Sequence, residues 1–181
     1  ASGAWFIDPG ATLSVTGTAG DRFAAFSNEE GTPASLNIGT RLNGNVAFDG
    51  IRFGGSAQRM FSFGEATAFA LFENCVFEGP DFMSATADIE KLSFNKCVFC
   101  SKDMTEMSLA GCESAHIGGL TLEGCVFYNR IPVSEAFINA PSVDKLSIRN
   151  NIVYLTAPAG KQFSLISPAM AAASVSDNVA C

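Results

Sequence analysis

Charge is scarce in this sequence. Asp, Glu, Lys and Arg together make up 16% of the 181 residues, and the net charge is −7. The 11 basic residues are scattered along the chain without forming a run. Nucleic acids and anionic membranes are bound by clustered Lys and Arg side chains that displace counterions. The composition therefore excludes a nucleic-acid-binding protein, and we expect no nucleic-acid partner.

Long apolar runs are also missing. No stretch approaches the roughly 18 consecutive apolar residues that cross a bilayer, so we expect no membrane insertion by this segment. The first residues, Ala1 to Phe6, contain neither the basic nor the apolar region of a signal peptide and no initiator Met. We therefore expect a mature or excised piece of chain that forms one domain over residues 1–181.

What the sequence does contain is a repeat. Hydrophobic residues make up 48% of the chain, with 17 Gly and 16 Phe. Six eight-residue segments align on one another and begin 24, 22, 28, 26 and 27 residues apart. They are Val46–Phe53, Ala70–Phe77, Leu92–Phe99, Leu120–Phe127, Leu146–Val153 and Ala173–Ala180. A period of this length is typical of stacked supersecondary units.

Each repeat reads as two short strands joined by a bend. Positions one and three are apolar, as in Val46 and Phe48, and the apolar residues then move to positions six and eight, as in Ile51 and Phe53. This shift predicts a sharp bend between two strands that share one interior. Position five holds Gly, Asn or Asp in five of the six repeats, which are the residues that most readily adopt positive φ. Lys96 is the exception.

A second family of apolar segments precedes the repeats and gives each unit a third strand. Its members are Met60–Phe63, Phe82–Ser84, Met107–Leu109, Phe137–Asn139 and Phe163–Leu165, and connectors such as Gly111–Gly119 and Tyr128–Glu135 join the strands. The sequence thus predicts an all-β parallel β-helix, a solenoid of about six coils over residues 44–181. Residues 1–43 are expected to form a cap or an incomplete first coil. An antiparallel sandwich would instead require Asn-Gly or Asp-Gly hairpin loops, and only Asp49-Gly50 fits that pattern.

One phrase of the repeat carries a resemblance to a known group. Phe72-Glu-Asn-Cys-Val-Phe77, echoed by Ile148-Arg-Asn-Asn-Ile-Val153, resembles the right-handed parallel β-helix superfamily that includes pectate lyases. It looks more specifically like the β-helix domains of Bacteroides-type surface lipoproteins. The resemblance implies a right-handed helix, export to the cell surface or periplasm, and a role in glycan use. Fold transfers by such a likeness better than function does.

The catalytic motifs of carbohydrate-active β-helices are missing. The polygalacturonase pattern of Asn-x-Asp, Asp-Asp, Gly-His-Gly and Arg-x-Lys is absent, and His116 stands in Ala-His-Ile-Gly. Arg130-Ile-Pro132 is a fragment of the pectate-lyase pattern that lacks its second Arg. Whether the chain is an enzyme is open, with the non-catalytic reading favoured and no catalytic residue assigned.

The fourth position of the repeat gives the candidate ligand-binding residues. It should project outward at the bend, and it holds Asp49, Glu73, Asn95, Glu123, Arg149 and Ser176. Such a polar column could bind sugar hydroxyls, or a cation between Asp49 and Glu73, or it could be a solvated edge with a Glu123–Arg149 ion pair. The predicted ligand-binding set is Asp49, Glu73, Glu123, Arg149, Tyr128 and Arg130.

The six cysteines allow a zinc or a disulfide reading. Cys97-x2-Cys100 followed by Cys112-x3-His116 has zinc-like spacing. The repeat opposes it, because Cys97 shares position six with Cys75 and Cys125 and should face inward, whereas Cys100 should face the other way. We predict a buried thiol ladder with no metal and no cofactor, and leave disulfides open. Position six continues as Asn151 and Asn178, amides that would need partners if buried.

Position seven is apolar in five of the six repeats although it should face outward. It holds Arg52, Val76, Val98, Val126, Ile152 and Val179, and strand propensity alone explains the β-branched residues. The other reading is an apolar stripe, Val76, Val98, Val126 and Ile152, that a connector covers or on which a neighbouring domain or a second chain docks.

Three functions follow from these observations. The first is a non-catalytic, exported cell-surface β-helix protein that binds polysaccharide or supports glycan use. The alternative is a polysaccharide lyase or glycoside hydrolase with its site on the connectors Glu78–Asp81, Lys102–Glu106 or Tyr128–Glu135. The third is a structural spacer of a larger surface protein.

Overall fold

The computed structural model describes residues 12–16, 40–41, 44–54, 61–78, 81–101, 108–111, 115–129, 136–139, 142–155, 164–167 and 170–180. All regular structure in these ranges is β-strand, which confirms the all-β class. Within the same ranges there is no helix with the length and apolar character needed to cross a membrane.

Nineteen strands, numbered in chain order, form three sheets in these ranges. Sheet A contains β1 (Thr12–Thr16), β3 (Asn45–Asp49), β6 (Thr67–Glu73), β9 (Ile89–Asn95), β12 (His116–Glu123), β15 (Ser142–Arg149) and β18 (Met170–Ser176). Sheet B contains β4 (Arg52–Gly54), β7 (Val76–Glu78), β10 (Val98–Ser101), β13 (Val126–Asn129), β16 (Ile152–Leu155) and β19 (Val179–Ala180). Sheet C contains β2 (Thr40–Arg41), β5 (Phe61–Phe63), β8 (Asp81–Ala85), β11 (Ser108–Gly111), β14 (Ala136–Asn139) and β17 (Ser164–Ser167).

Every strand pairing is parallel. From β3 onward the chain enters sheets A, B and C in constant rotation. The predicted third strand of each unit is therefore present, as β5, β8, β11, β14 and β17. Uniform parallel pairing excludes the antiparallel sandwich, since hairpins join antiparallel strands.

The six repeats pair in the register that the sequence predicted. In sheet A, position one runs from Val46 through Ala70, Leu92, Leu120 and Leu146 to Ala173. The bend residue of every repeat has positive φ, including Lys96 at 52°. Its amide still donates to the carbonyl of position four in the next repeat, as from Lys96 to Glu123 at 2.8 Å. The ladder therefore passes through the bend without a break.

Stacked phenylalanines fill the interior between sheets A and B. Phe72 and Phe94 of sheet A stack with their centroids 5.0 Å apart, and so do Phe77 and Phe99 of sheet B. The two stacks meet edge to face, with Phe94 and Phe99 at 5.5 Å and 71°. Because parallel strands lie about 4.8 Å apart, a Phe at the same position of successive repeats gives an aromatic ladder. The ladder contains Phe48, Phe72 and Phe94 of sheet A and Phe53, Phe77, Phe99 and Phe127 of sheet B, which are seven of the 16 Phe.

Position six forms a second inner column, of thiols and then amides. Cys75, Cys97, Cys125 and Asn151 are fully buried. Each side chain donates to the carbonyl of position three in the preceding repeat: Cys125 to Phe94 at 3.3 Å, and Asn151 to Leu122 at 2.9 Å. The predicted partners for the buried amides are thus present, and Asn178 donates to Ile148 at 3.0 Å in the same way.

Five strands of sheet A, β6, β9, β12, β15 and β18, begin three or four residues earlier than the repeat predicted. β12 starts at His116, inside the predicted connector Gly111–Gly119, and that connector assignment is wrong from His116 onward. In β9, β12 and β15 two consecutive residues face outward between buried ones, as Glu90 and Lys91 do between Ile89 and Leu92. Sheet A therefore carries an outer face that the repeat alignment left out.

Residues 1–43 are described only in part. β1 pairs with β3 in register and adds a seventh strand to sheet A, which is the place that an incomplete first coil would take. At the other end, Val175 is 63% exposed, whereas Phe94 and Leu122 in the same register position are fully buried. Whether residues 1–181 form one domain stays a prediction.

Candidate functional site

A furrow runs along β12 on the outer face of sheet A. It consists of two open depressions of about 530 and 550 Å³ that share Glu90, Gly118 and Asp144. Because these three residues belong to both depressions, the two form one continuous groove. Along β12 the groove extends from His116 to Thr121, about 16 Å at 3.3 Å per residue, and its first depression also reaches across β9 to Thr67 and Ala68 of β6.

The floor of the furrow is made by two glycines. Gly119 pairs with Lys91 of β9 on one side and with Lys145 of β15 on the other. The floor lacks side chains while both flanking strands carry long ones, so the walls stand two strand spacings apart, about 10 Å.

The two glycines differ in how closely they approach their neighbours. A Cβ on Gly118 would lie 2.8 Å from the backbone carbonyl oxygen of Glu90, whereas a Cβ on Gly119 would lie 3.8 Å from the same atom. Gly118 is therefore required for the close approach of β12 to β9. Gly119 is an open position that a larger side chain can fill.

The walls carry charges of both signs. Glu90 and Lys91 on β9, and Asp144 and Lys145 on β15, are all exposed. Of the described ion pairs, the only one that involves these residues joins Asp144 to His116. The lysines and Glu90 therefore face the furrow with their hydrogen-bonding capacity available to a ligand.

A hydrogen-bonded relay closes one end of the furrow. His116 Nδ1 lies 3.0 Å from Ser142 Oγ, and His116 Nε2 lies 3.1 Å from Asp144 Oδ2. His116 pairs with Ser142 in the strand register, and Ser142 and Asp144 face the same side of β15 because strand side chains alternate. The imidazole therefore spans two side chains of the neighbouring strand.

The backbone of His116 is held as well. Its amide donates to Asp88 Oδ1 at 3.1 Å, which fixes the start of β12 to the turn before β9. The side chains of His116 and Asp144 remain 42% and 52% exposed. The relay is thus positioned by its surroundings and is still open to solvent.

The predicted polar column lies elsewhere, at the bend end of sheet A. Its members pair in register, Asp49 with Glu73 and Glu123 with Arg149. Arg149 Nη2 donates to Glu123 Oε2 at 3.2 Å, which confirms the predicted ion pair. Asn74 Nδ2 donates to Asp49 Oδ1 at 2.8 Å. Glu123 and Arg149 are thus paired within the column, Asp49 accepts from a bend residue, and ligand binding there stays a prediction.

The two remaining predicted ligand residues separate from this column. Tyr128 lies on β13 of sheet B, where its ring stacks on Tyr154 with centroids 5.4 Å apart. Arg130 lies outside the described residues. Most of the predicted connector sites, including Lys102–Glu106, lie outside them too.

No disulfide joins Cys75, Cys97, Cys100 and Cys125, the cysteines in the described part of the chain. Within the described ranges no group of three or more His, Cys, Asp or Glu residues is arranged to hold a metal ion. Burial raises the pKa of the Cys97 thiol, so this side chain stays neutral in the core. Cys112 and Cys181 lie outside the described residues.

The apolar stripe on sheet B is covered unevenly. Val76 is buried, Val98 and Val126 are partly exposed, and Ile152 is 48% exposed. Docking of a domain or a second chain on these residues stays a prediction.

Comparison of the chain with family models, with curated proteins and with solved structures gave no match. The function must therefore be inferred from the geometry of the furrow.

Sequence reasoning missed the furrow, although the sequence contains a signal for it. Three segments that precede or overlap the repeats share the pattern apolar-polar-polar-apolar, or its glycine equivalent. They are Ile89-Glu-Lys-Leu92, Ile117-Gly-Gly-Leu120 and Val143-Asp-Lys-Leu146. Aligning them places the glycine pair of β12 between the acid–lysine pairs of β9 and β15. The glycines correspond to the floor of the furrow and the acid–lysine pairs to its two walls.

Proposed function

We propose that this chain is a right-handed parallel β-helix of an exported, cell-surface or periplasmic protein, and that it binds polysaccharide in the furrow along β12. The fold part of the proposal is supported by the constant rotation of the chain through three parallel sheets. It is also supported by the shared bend residue with positive φ. Export and surface location are supported only by the resemblance of the repeat to Bacteroides-type surface lipoprotein domains.

The observation that carries the binding proposal is the furrow itself. Two adjacent glycines leave its floor without side chains, which gives room for a ligand across β12, and its walls offer carboxylates that accept and ammonium groups that donate hydrogen bonds. Each sugar hydroxyl both donates and accepts, so a wall that carries an acid beside a lysine matches a sugar chain. The charges of Glu90 and Asp144 offset those of Lys91 and Lys145, which suits a ligand rich in hydroxyls better than one with a large net charge.

An extended peptide is a poorer fit to the same furrow. Peptides that add to a sheet bind its open edge through main-chain hydrogen bonds. β12 lies in the interior of sheet A, paired with β9 on one side and with β15 on the other. Its backbone groups are already in the ladder, so side chains must supply the recognition.

The test is retention on a panel of immobilised polysaccharides, followed by titration calorimetry on any that are retained. Gly119→Phe fills the floor without the backbone clash that Gly118 would meet, and we expect it to weaken binding at least tenfold. Ser14→Phe is the matched control, because Ser14 is exposed on β1, the edge strand of sheet A, which three strands separate from β12 in the sheet order β1-β3-β6-β9-β12. Circular dichroism checks that both variants fold.

Two outcomes would reject the binding proposal. One is that no polysaccharide in a broad panel is retained, as a structural spacer would predict. The other is that Gly119→Phe binds as tightly as the parent chain. The location is tested separately, by protease treatment of cells that express the parent protein, before and after the outer membrane is permeabilised. A surface protein is cleaved in intact cells, a periplasmic protein only after permeabilisation, and protection in both samples would reject export.

A further inference from the structure

The relay at the end of the furrow has the parts of a nucleophilic catalytic site. Ser142 Oγ lies within hydrogen-bonding distance of an imidazole nitrogen, and the other nitrogen of that ring faces a carboxylate. Nucleophile, base and orienting acid in this mutual geometry are the recognisable signature of covalent catalysis, whatever the fold that carries them.

Fold stability does not explain this arrangement. His116 and Asp144 are about half exposed, and an exposed pair of this kind contributes at most about 1 kcal/mol. The start of β12 is already fixed through the His116 backbone amide and Asp88. Holding the strand in place therefore does not require the imidazole to be oriented between two side chains of β15.

We propose that Ser142, His116 and Asp144 form an ester-cleaving relay at the start of β12, beside the furrow that His116 and Asp144 line, and that its substrates are O-acyl groups carried by the bound polysaccharide. The substrate class rests on the proposed function, whereas the relay chemistry does not. Ser142 and His116 act as catalytic residues. Asp144 acts as a positioning residue that holds the Nε2–H tautomer, which leaves Nδ1 free to accept a proton.

The reaction balances with water as the second substrate. Ser142 Oγ attacks the ester carbonyl, a C–O bond forms, and the serine proton moves to His116 Nδ1. The tetrahedral intermediate collapses, the sugar oxygen leaves with that proton, and the acyl group remains on Ser142. Water then repeats the sequence on the acyl-serine, which releases the carboxylic acid and restores the hydroxyl.

The negative charge that develops on the carbonyl oxygen needs a partner. Lys145 follows Asp144 on β15 and lines the same furrow. Its ammonium group is the one we assign to this role.

The activity test uses p-nitrophenyl acetate and an O-acetylated xylan, with release of nitrophenolate and of acetate as the readouts. We expect the parent chain to exceed the buffer rate, and His116→Gln to lose about 10²–10⁴-fold, the usual contribution of a general base. Ser142→Ala should fall to the buffer rate. The matched control Ser174→Ala, on the exposed face of β18, should keep the parent rate.

The role of Asp144 needs a readout that a structural role would not affect. Asp144→Asn should lower kcat for p-nitrophenyl acetate with KM little changed, and Asp144→Glu should restore part of it. Lys145→Gln should lower kcat in the same manner. A second measurement needs no variant: a fluorophosphonate should phosphonylate the parent chain at Ser142, with fluoride as leaving group and the proton taken by His116, and peptide mass spectrometry locates the adduct.

The results separate the two proposals. A polysaccharide that is retained but not deacetylated, with no adduct on Ser142, overturns the relay and leaves binding intact. Ester cleavage that depends on Ser142 and His116, without retention of any polysaccharide, supports the relay and overturns the binding function. Activity that survives in Ser142→Ala overturns the relay whatever the binding result.

Discussion

The strongest stability prediction concerns Asn151, in the inner column of thiols and amides. This side chain is fully buried. Its Oδ1 accepts the Cys125 amide at 2.8 Å, and its Nδ2 donates to the Leu122 carbonyl and to Asn178 Oδ1, both at 2.9 Å. Asn151→Ala removes all three interactions, whereas Asn151→Cys places at position six the residue that three earlier repeats already have there.

The magnitude follows from the three bonds. A buried amide left without an acceptor costs about 1–3 kcal/mol, and a neutral hydrogen bond contributes about 0.5–1.5 kcal/mol. Asn151→Ala leaves the Cys125 amide without this acceptor and loses two further bonds, so we expect it to destabilise the fold by roughly 2–6 kcal/mol. A thiol can still donate to the Leu122 carbonyl, as Cys125 does to Phe94, so Asn151→Cys should cost about 1 kcal/mol less.

The assay is urea unfolding monitored by circular dichroism, with the midpoint compared at constant slope. Hydrogen exchange at the Cys125 amide gives a local readout, which matters because repeat proteins depart from two-state unfolding. Ser174→Ala is the control, since Ser174 is exposed on β18, and it should shift stability by less than about 0.5 kcal/mol. Equal costs for Ala and Cys at position 151, or a cost for Ala below about 1 kcal/mol, would refute the reasoning.

Two further changes test the backbone of the repeat and of the furrow. Lys96→Gly should stabilise the fold by about 0.5–1 kcal/mol. Positive φ costs about 1–2 kcal/mol for a residue with a side chain, and the larger conformational entropy that glycine loses on folding offsets about 0.5–1 kcal/mol of that gain. The lost contact between Lys96 and Glu73, at 4.0 Å and largely exposed, contributes almost nothing to stability. Gly124→Lys should destabilise the fold by a similar amount. A destabilised Lys96→Gly variant would contradict this account. Gly118→Ala should destabilise the fold by about 1–3 kcal/mol, since its Cβ would lie 2.8 Å from the backbone oxygen of Glu90. Gly119→Ala should change the stability by no more than about 0.5 kcal/mol. Thermal unfolding of the two variants measures the difference, and equal effects would count against the close approach of β12 to β9.

Much of the fold was predictable because the interior imposes one residue type on each register position. Phe72 and Phe94 stack because the same position of successive repeats lies one strand spacing apart, so a simple alignment of repeats identifies the ladder. The bend was predictable for the same reason, since positive φ limits the choice of residue. Lys96 shows that the constraint acts on the backbone first: it adopts the conformation although its side chain does not favour it.

The furrow was not predictable by the same route. Outward positions are free of packing constraints, so Glu90, Gly118 and Asp144 share a register position without sharing a residue type. Gly118 and Gly119 also read as loop residues, because glycine weakens a strand and usually marks a turn or a close approach. Here the close approach is the reason, and it is visible only when the neighbouring strand is placed beside it.

The two readings of His116 are resolved by where its neighbours in sequence point. The zinc spacing requires Cys97, Cys100 and His116 to converge, yet Cys97 donates into the core toward the Phe72 carbonyl, and Cys100 lies partly exposed on sheet B beside Tyr128. Both ring nitrogens of His116 are engaged on the outer face of sheet A, with Ser142 and Asp144. The spacing along the chain thus distributes these side chains over three different surroundings. The pairing of β12 with β15 brings together residues 26 and 28 positions apart, and this juxtaposition, rather than any local motif, is what gives His116 its chemistry.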